Sequence, residues 1–232
     1  MMEAIILAGG RGTRLQSAVP DLPKPLAPIA GAPFLSYLLK YLERCKITCF
    51  VLSVGYGSEA IIRSFGDAFN GIPILYAPED TPLGTGGAIR RALSECAESS
   101  VFVLNGDSYL GADLEALARL HALQNADISV ALKEMSNFAR YGAVDLKDGR
   151  ITAFREKART ARGYINGGVY RVKRDVFAGF DPPEKFSFED FLAQNTGNLK
   201  LCGLPADGDF IDIGIPEDYA AAQSLLPRWV RL

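Results

Sequence analysis

The chain has 232 residues, of which 48% are hydrophobic and 22% charged, and its 25 Lys and Arg against 27 Asp and Glu give a formal net charge of −2. This composition excludes a disordered, collagen-like or coiled-coil protein, and the length suffices to bury a sizeable core. Because no Lys/Arg-rich block is present, nucleic acid is not an expected partner.

The N-terminal residues predict a protein without a membrane partner. Residues 1–7 are apolar, but they include Glu3 and are followed by Gly9 and Gly10. Such a run is too short for a signal peptide or a membrane span, so we expect a cytoplasmic protein. The sequence does not decide the oligomeric state and leaves a homo-oligomer open.

Cysteine and histidine usage argues against a zinc site. The four cysteines lack CxxC spacing, and the single histidine is His121. His121 lies in residues 114–124, where leucines recur at helical spacing, and we interpret it as a helix-surface or capping residue. Any His-dependent nucleophilic catalysis would have to use this one residue.

Apolar runs of strand length alternate with amphipathic helical stretches through the first two thirds of the chain. Strands are predicted at residues 3–8, 50–54, 74–77, 101–104 and 128–132, and helices at residues 34–45, 58–65, 86–96 and 113–124. This alternation is typical of a doubly wound α/β core, a mostly parallel sheet with helices on both faces.

After residue 132 the extended segments become shorter. They are predicted at residues 142–146, 151–156, 163–171 and 199–204, with a hairpin turn at 147–150 and helices at 187–194 and 216–225. We expect this α+β part to extend the same sheet and to close over its carboxyl edge. The sequence contains no hexapeptide repeat, which excludes an appended parallel β-helix.

The first predicted strand continues into a glycine-rich loop, Leu7-Ala8-Gly9-Gly10-Arg11-Gly12-Thr13-Arg14. Glycines let the backbone approach a ligand closely, and exposed N–H groups bind an anion. A dinucleotide-binding fingerprint would need a glycine at Leu15, and the GxxxxGK(S/T) pattern of a P-loop is absent. The loop is therefore a candidate phosphate site of another kind.

Prolines on both sides of Lys24, in Leu22-Pro23-Lys24-Pro25-Leu26, fix the local backbone and hold this side chain in one region. Arg11 and Arg14 add positive charge to the glycine loop. Two or three cations that face one loop suit a triphosphate, whose charge must be offset before a charged nucleophile approaches.

The combined pattern, Gly10-x-Gly12-Thr13-Arg14 followed by Pro23-Lys24-Pro25, resembles the signature of the sugar-1-phosphate nucleotidylyltransferases. The resemblance covers the whole chain. It implies the nucleotide-diphospho-sugar transferase fold, as a single domain over 1–232, with a nucleotide-binding part over about 1–132 and a sugar-phosphate-binding part over about 133–232. It also implies an Mg²⁺-dependent reaction of a nucleoside triphosphate with a sugar 1-phosphate, which yields a nucleoside-diphosphate sugar and pyrophosphate.

Two aspartates are candidate metal ligands. Asp107, in Asn105-Gly106-Asp107, comes at the carboxyl end of a predicted central strand, where α/β sheets bind ligands, and Asp212 lies between apolar neighbours far along the chain. Carboxylates suit Mg²⁺. The resemblance implies that these two positions hold the catalytic metal. We interpret Asp113, Asp145 and Asp148 as helix-start and turn residues.

The loop Pro78-Glu79-Asp80-Thr81-Pro82-Leu83-Gly84-Thr85-Gly86-Gly87 follows the third predicted strand and opens a helix. The resemblance implies that it contacts the nucleobase, with Gly106 also on the nucleotide. Glu79 or a nearby carbonyl can accept hydrogen bonds from the N1–H and N2–H₂ groups of guanine. We expect the glycines of residues 84–87 to leave space for the base.

Three polar or glycine-containing sites interrupt the strands of the second part. They are Tyr141-Gly142, Glu156-Lys157 and Asn166-Gly167-Gly168. The resemblance implies sugar-phosphate-binding roles here: Gly142 and Glu156 for hydroxyls, Lys157 for the phosphate and Asn166 for the ring or ribose. It likewise implies catalytic roles for Arg14 on the departing phosphates, Lys24 on the α-phosphate and Asp107 on the metal.

Several segments, among them residues 51–56, 82–89 and 186–189, most resemble the bacterial guanylyltransferases that act on D-glycero-α-D-manno-heptose 1-phosphate. This resemblance implies GTP as the nucleotide. The alternatives are a uridylyltransferase of N-acetylmuramic acid 1-phosphate and a guanylyltransferase of mannose 1-phosphate. A catalytically silent sugar-nucleotide sensor on the same fold is an alternative of another class.

Overall fold

The computed structural model describes residues 2–10, 12, 15, 19–20 and 22–232. In this part of the chain the strands are β1 (Glu3–Leu7), β2 (Pro28–Ile29), β3 (Ala32–Pro33), β4 (Cys49–Val54), β5 (Ala68–Phe69), β6 (Ile72–Pro78), β7 (Ser100–Asn105), β8 (Ser108–Leu110), β9 (Ile128–Phe138), β10 (Gly142–Lys147), β11 (Arg150–Lys157), β12 (Thr160–Lys173), β13 (Leu201–Ala206) and β14 (Phe210–Asp212). The helices are α1 (Phe34–Arg44), α2 (Ser58–Phe65), α3 (Gly84–Leu93), α4 (Leu114–Leu123), α5 (Phe188–Gln194) and α6 (Pro216–Trp229), with a 3₁₀ helix at Lys24–Leu26.

The central strands form a parallel sheet in the order β7-β1-β4-β6. The sheet separates two hydrophobic cores, one on each face. Ile5, Val51 and Val103 are paired across β1, β4 and β7 and point into one core, whereas their neighbours along each strand point into the other core. Because both faces are covered, the strands are continuously apolar. The core below α3 and α5 contains Ile5, whereas α1, α2, α4 and α6 supply buried residues to the opposite core. The predicted doubly wound α/β core is confirmed.

The second part of the chain extends the same sheet. Strand β12 pairs antiparallel with both β7 and β9, β13 lies parallel to β9, and β10 and β11 form the outer hairpin. The hairpin turns at Asp148 and Gly149, whose φ angles of 50° and 77° suit the predicted two-residue turn. The pairing of β12 with β9 shifts register between Asn166 and Val169, at the glycines of the Asn166-Gly167-Gly168 segment.

Several predicted boundaries and roles differ from the structure. Strand β9 runs to Phe138 instead of ending at residue 132. The residues after 132 are mostly polar and exposed or half-buried, so the apolar pattern did not predict that the strand continues. Helix α3 begins at Gly84, two residues before the predicted start. Asp145 is not a turn residue: it lies within β10 and forms two hydrogen bonds with Arg155, at 2.8 and 2.5 Å. Asp113, in contrast, caps α4 as predicted.

The interpretation of His121 as a surface or capping residue is wrong. Its side chain is 5% exposed, with Nε2 3.2 Å from Ser100 Oγ and Nδ1 3.2 Å from Ser129 Oγ. It shares the buried face of α4 with Leu114 and Leu117, whereas Leu123 is 83% exposed. Burial, followed by the positive charges of Arg171 and Lys173, lowers the pKa of His121 to about 4.

No helix in the described ranges is long and apolar enough to cross a membrane.

The low pKa of His121 predicts a stability loss in acid. In the unfolded chain His121 binds a proton near its ordinary pKa of about 6.5, whereas in the folded chain it does so only near pH 4. Its contribution to the free energy of unfolding is therefore complete above pH 6.5 and is lost as the pH falls from about 6.5 to 4. This contribution amounts to at most about 3 kcal/mol. Urea unfolding between pH 4 and 7 should show a smaller acid loss in His121→Gln, since glutamine does not titrate. Parallel pH profiles for the two proteins would contradict this assignment.

Candidate functional site

A cavity of about 600 Å³ opens at the carboxyl ends of the parallel strands. Loops that follow β1, β4, β6 and β7 line it, together with Lys24 and Pro25. The lining residues are Leu7, Ala8, Gly9, Gly10, Lys24, Pro25, Gly55, Tyr56, Glu79, Asp80, Pro82, Gly84, Thr85, Ala88, Asn105, Gly106 and Asp107. A cavity at this edge of a parallel sheet is the usual ligand site of open α/β folds.

Close packing of the strand exits gives the cavity its floor. The N–H of Gly106 donates to the carbonyl of Leu7 (3.1 Å), and a Cβ at Gly106 would overlap that carbonyl oxygen. A Cβ at Gly55 would lie 3.1 Å from the carbonyl oxygen of Gly9, which accepts from the N–H of Tyr56. The glycines therefore allow neighbouring loops to meet backbone against backbone.

The side chain of Lys24 is held in one position, as its two flanking prolines predict. It begins the 3₁₀ helix Lys24–Leu26, and its Nζ lies 2.8 Å from Oδ2 of Asp107. The Lys24 side chain is 12% exposed and that of Asp107 38%. Gly12 has a φ of +63°, and a Cβ there would overlap the Lys24 stem, so the backbone at Gly12 passes directly over this lysine.

Asp212 lies beside Asp107 although the two are far apart in the chain. Strand β14 pairs with β8, with Asp212 opposite Ser108, and the N–H of Ile213 donates to the carbonyl of Asp107 (3.0 Å). The pKa of Asp212 is raised, first by burial and then by the charge of Asp107. The N–H of Gly214 and the Lys24 and Arg140 cations act in the opposite direction.

The pair of carboxylates has the chemistry of a divalent-cation site. Two negative groups held side by side, one with a raised pKa, would be relieved by a cation between them. In the part of the chain that the structure covers, no group of three or more His, Cys, Asp or Glu side chains could hold a metal. The remaining ligands would therefore be water and phosphate oxygens, which suits Mg²⁺ better than zinc.

Glu79 shapes the loop after β6. Its Oε2 accepts from the N–H of Leu83 (3.0 Å), and its Oε1 accepts from the Ser53 hydroxyl (3.1 Å). Each carboxylate oxygen can accept a further hydrogen bond, so Glu79 holds the loop and still presents acceptors to the cavity that it lines.

The expectation that the glycines of residues 84–87 leave space for a base is corrected by the structure. Cβ atoms at Gly84, Gly86 and Gly87 would overlap residues 184–186, and the N–H of Gly86 donates to the carbonyl of Phe186 (3.0 Å). The space beside these glycines is therefore filled by the segment that leads into α5. A sequence pattern alone does not reveal a packing partner a hundred residues away.

The residues predicted for a sugar phosphate lie along β10, β11 and β12 and do not line the cavity. Tyr141, just before β10, contacts the carboxylate pair, since its hydroxyl donates to Oδ2 of Asp212 (3.4 Å). Gly142 faces Lys157 across the hairpin, and Lys157 and Glu156 are exposed. Asn166 donates to the hydroxyl of Tyr170 (2.8 Å).

Four further residues predicted for the site do not line the cavity in the part of the chain that the structure describes, or lie outside that part. Gly167 is buried, where a Cβ would overlap Leu110. Leu83 is the acceptor of the Phe186 N–H, behind the cavity. Thr13 and Arg14 lie outside the described residues.

Two residues near the site carry no motif. Tyr56 is 41% exposed at the cavity, and the Arg140 guanidinium lies 2.7 Å from Asp218 and 3.8 Å from Asp212. Tyr56 comes shortly after the predicted strand at residues 50–54, and this position at the carboxyl end of a parallel strand could have predicted that it lies at the ligand site. Arg140 follows no such pattern, because its partners come from α6 and β14.

The family model described as nucleotidyl transferase matches residues 3–227. The D-glycero-alpha-D-manno-heptose 1-phosphate guanylyltransferase of Aneurinibacillus thermoaerophilus is 46% identical, over 99% of this chain and 100% of that protein. The Campylobacter jejuni protein of the same name is 45% identical, over 94% and 97%. The mannose-1-phosphate guanylyltransferase of Mycobacterium tuberculosis is 32% identical over 99% of this chain, which spans 66% of that protein.

Solved structures share the fold over nearly the whole chain. The crystal structure of HddC from Yersinia pseudotuberculosis superimposes with a TM-score of 0.86 at 36% identity, over 96% of this chain and 98% of that one. HddC complexed with GMP-PN gives a TM-score of 0.84 with the same identity and coverage.

The contact between Gly106 and the Leu7 carbonyl predicts a cost for any side chain there. Gly106→Ala should lower the free energy of unfolding by about 2 kcal/mol, because the added methyl meets rigid backbone. Gly197→Ala is the matched control, since a Cβ at Gly197 meets no atom within 4 Å. Denaturant unfolding of both variants measures the difference, and equal stability for the two would contradict the packing described.

Proposed function

Since the chain belongs to the nucleotidyl transferase family, we propose that it transfers a guanylyl group from GTP to D-glycero-α-D-manno-heptose 1-phosphate, giving GDP-heptose and pyrophosphate. The observation that carries this proposal is the similarity, over nearly the full length of both chains, to two proteins named for this activity. The cavity next to Lys24, Asp107 and Asp212 supplies a site with the necessary charges.

The proposed reaction is an in-line displacement at the α-phosphorus of GTP. A phosphate oxygen of the sugar 1-phosphate forms the new P–O bond as the bond to pyrophosphate breaks. This nucleophile is largely dianionic at pH 7, since its second pKa is about 6, so no general base is required. The position of His121 agrees with this chemistry, because it is buried against Ser100 at the start of β7, whereas the cavity lies beyond the end of that strand.

Catalysis then depends on charge and alignment. We assign Lys24 to the α-phosphate and the transition state, because its ammonium group is already held at the cavity beside Asp107. Asp107 and Asp212 would hold Mg²⁺, which supplies a Lewis acid for the phosphate oxygens when bound. Thr13 on the nucleotide and Arg14 on the departing phosphates follow from the family signature alone.

The nucleotide is proposed to lie across the strand exits. Backbone groups of residues 7–10, which line the cavity, and of the neighbouring Gly12 would face the phosphates, and Glu79, Gly84 and Thr85 would surround the guanine. Leu83 would hold this loop from behind the cavity, through its carbonyl on the Phe186 N–H. The second acceptor position on each Glu79 oxygen suits the N1–H and N2–H₂ donors of guanine. Gly106 lets the backbone after β7 approach the nucleotide.

The sugar phosphate is proposed to bind beside the carboxylate pair, along the second part of the chain. The contact between Tyr141 and Asp212 supports this position for one end of the subsite. Gly142, Glu156, Lys157, Asn166 and Gly167 would contribute the rest, with the Lys157 ammonium on the incoming phosphate. Both substrates are phosphorylated metabolites, so we expect the reaction in the cytoplasm.

A mannose 1-phosphate guanylyltransferase is the second candidate. It is favoured by the 32% identity to the mycobacterial enzyme, although this chain spans only 66% of that protein. A sensor without catalytic activity is less favoured, because Lys24, Asp107 and Asp212 are all present.

The test is a substrate panel. The protein is incubated with Mg²⁺, each of four nucleoside triphosphates, and the 1-phosphates of the heptose, mannose and N-acetylmuramic acid, and pyrophosphate release is measured. GTP with the heptose phosphate should give the highest kcat/KM. A faster reaction of UTP with N-acetylmuramic acid 1-phosphate would contradict the proposed substrates. If no pair of substrates released pyrophosphate, the proposed enzymatic activity would be wrong.

A matched pair of lysine variants sharpens this test. Lys24→Met should lower kcat by about 100-fold or more, because it removes a fixed cation from the transition state. Lys147→Met, at the exposed end of the β10–β11 hairpin, should leave kcat unchanged. Similar rates for the two variants would contradict the role given to Lys24.

A further inference from the structure

Glu189 of α5 ties down the helix that borders the cavity. The hydroxyl of Thr85, in the first turn of α3, donates to Oε2 of Glu189 (2.8 Å) and accepts from the N–H of Phe188 (2.8 Å). The hydroxyl of Ser187 donates to the same carboxylate oxygen (3.2 Å). Thr85 lines the cavity, so these contacts fix one wall of the nucleotide site.

The other side of Glu189 meets β12. The hydroxyl of Tyr170 accepts from Nδ2 of Asn166 (2.8 Å). The same hydroxyl lies near the Glu189 carboxylate, whose negative charge adds to burial in raising the pKa of Tyr170. Tyr170 is 1% exposed, and its ring packs edge-on against Phe188 at 5.2 Å between centroids. Its hydroxyl is therefore fixed between the two polar partners.

Asn166 is in turn fixed from within its own strand. Its Oδ1 accepts from the N–H of Gly168 (3.0 Å), at the register shift of β12. Gly168 has a φ of +72°, and a Cβ there would lie 2.7 Å from Nδ2 of Asn105, which lines the cavity. The segment that carries Asn166 is thus packed directly behind the exit of β7.

These contacts form one series of polar contacts: hydrogen bonds join Asn166 to Tyr170 and Thr85 to Glu189, and the Tyr170 hydroxyl lies near the Glu189 carboxylate between them. Tyr170, in the middle of this series, is 1% exposed, so no solvent molecule replaces a partner lost by its hydroxyl, and an unpaired polar group there is costly. A reorientation of Thr85 therefore affects the hydrogen bonds available to Asn166.

We infer that Glu189 is a positioning residue that couples the two substrate subsites, by linking Thr85 at the nucleotide to Asn166 at the sugar phosphate through Tyr170. The inference rests on the proposed function, which assigns Asn166 to the sugar phosphate. A nucleotide that contacts Thr85 acts through these contacts on the position of Asn166, so the sugar phosphate binds with a different affinity when the nucleotide is present. By linkage, each substrate tightens the binding of the other by the same factor.

The experiment measures this factor by calorimetry. D-glycero-α-D-manno-heptose 1-phosphate is titrated, with Mg²⁺ present, into protein alone and into protein saturated with a GTP analogue whose α,β-bridging oxygen is replaced by methylene. The ratio of the two Kd values is the coupling factor. We expect roughly fivefold or more for the unaltered protein and a value near one for Tyr170→Phe, which keeps the ring and removes the hydroxyl.

Tyr37→Phe is the matched control, because Tyr37 is also a buried tyrosine (3% exposed) whose hydroxyl donates to a backbone carbonyl, that of Ile29. It should keep the coupling factor of the unaltered protein. A purely structural role for Tyr170 would weaken both Kd values alike and leave their ratio unchanged. Should Tyr170→Phe not fold, Glu189→Gln, with the same expected loss of coupling, replaces it.

The outcomes separate the inference from the proposed function. Binding of both ligands with a ratio of one, or an unchanged ratio in the folded Tyr170→Phe variant, overturns the inference and leaves the proposed function intact. Failure of the unaltered protein to bind either ligand overturns the proposed function, and the inference with it.

Discussion

The functional arrangement depends on two like charges that the fold holds together. Asp107 ends the turn after a parallel strand, and Asp212 reaches it through the short β8–β14 pair, which joins distant parts of the chain. Burial and mutual repulsion raise the pKa of Asp212, and Lys24 offsets part of this charge from the other side. Such an arrangement favours a ligand that combines a divalent cation with phosphate oxygens.

The rest of the fold makes this edge available. Parallel strands that are buried on both faces end at one edge, and glycines at their exits let the loops pack against each other. The second part of the chain adds its strands to the same sheet and contributes Tyr141 beside Asp212. Both proposed substrates are anions, so the proposed chemistry would use the Lys24 cation and the carboxylate pair and would need no proton abstraction.

The sequence predicted those features that depend on local pattern. Continuous apolar runs located the parallel strands, and the prolines around Lys24 indicated a fixed side chain. Features that depend on distant contacts were missed or misread: His121 sits under the sheet between two serines, and the glycines of residues 84–87 accommodate residues 184–186. The same applies to Glu189, whose partners lie on α3 and β12, and to β8, which is a strand only because β14 pairs with it.

The most direct test is the binding of Mn²⁺, as a spectroscopic substitute for Mg²⁺, in the presence of GTP. Electron paramagnetic resonance of free Mn²⁺ should show that Asp212→Asn weakens binding by about tenfold or more, because one of the two carboxylate ligands is lost. Asp145→Asn, which alters an ion pair in the outer hairpin, should bind Mn²⁺ as the unaltered protein does. Equal Mn²⁺ affinity in Asp212→Asn and the unaltered protein would contradict a metal site formed by Asp107 and Asp212.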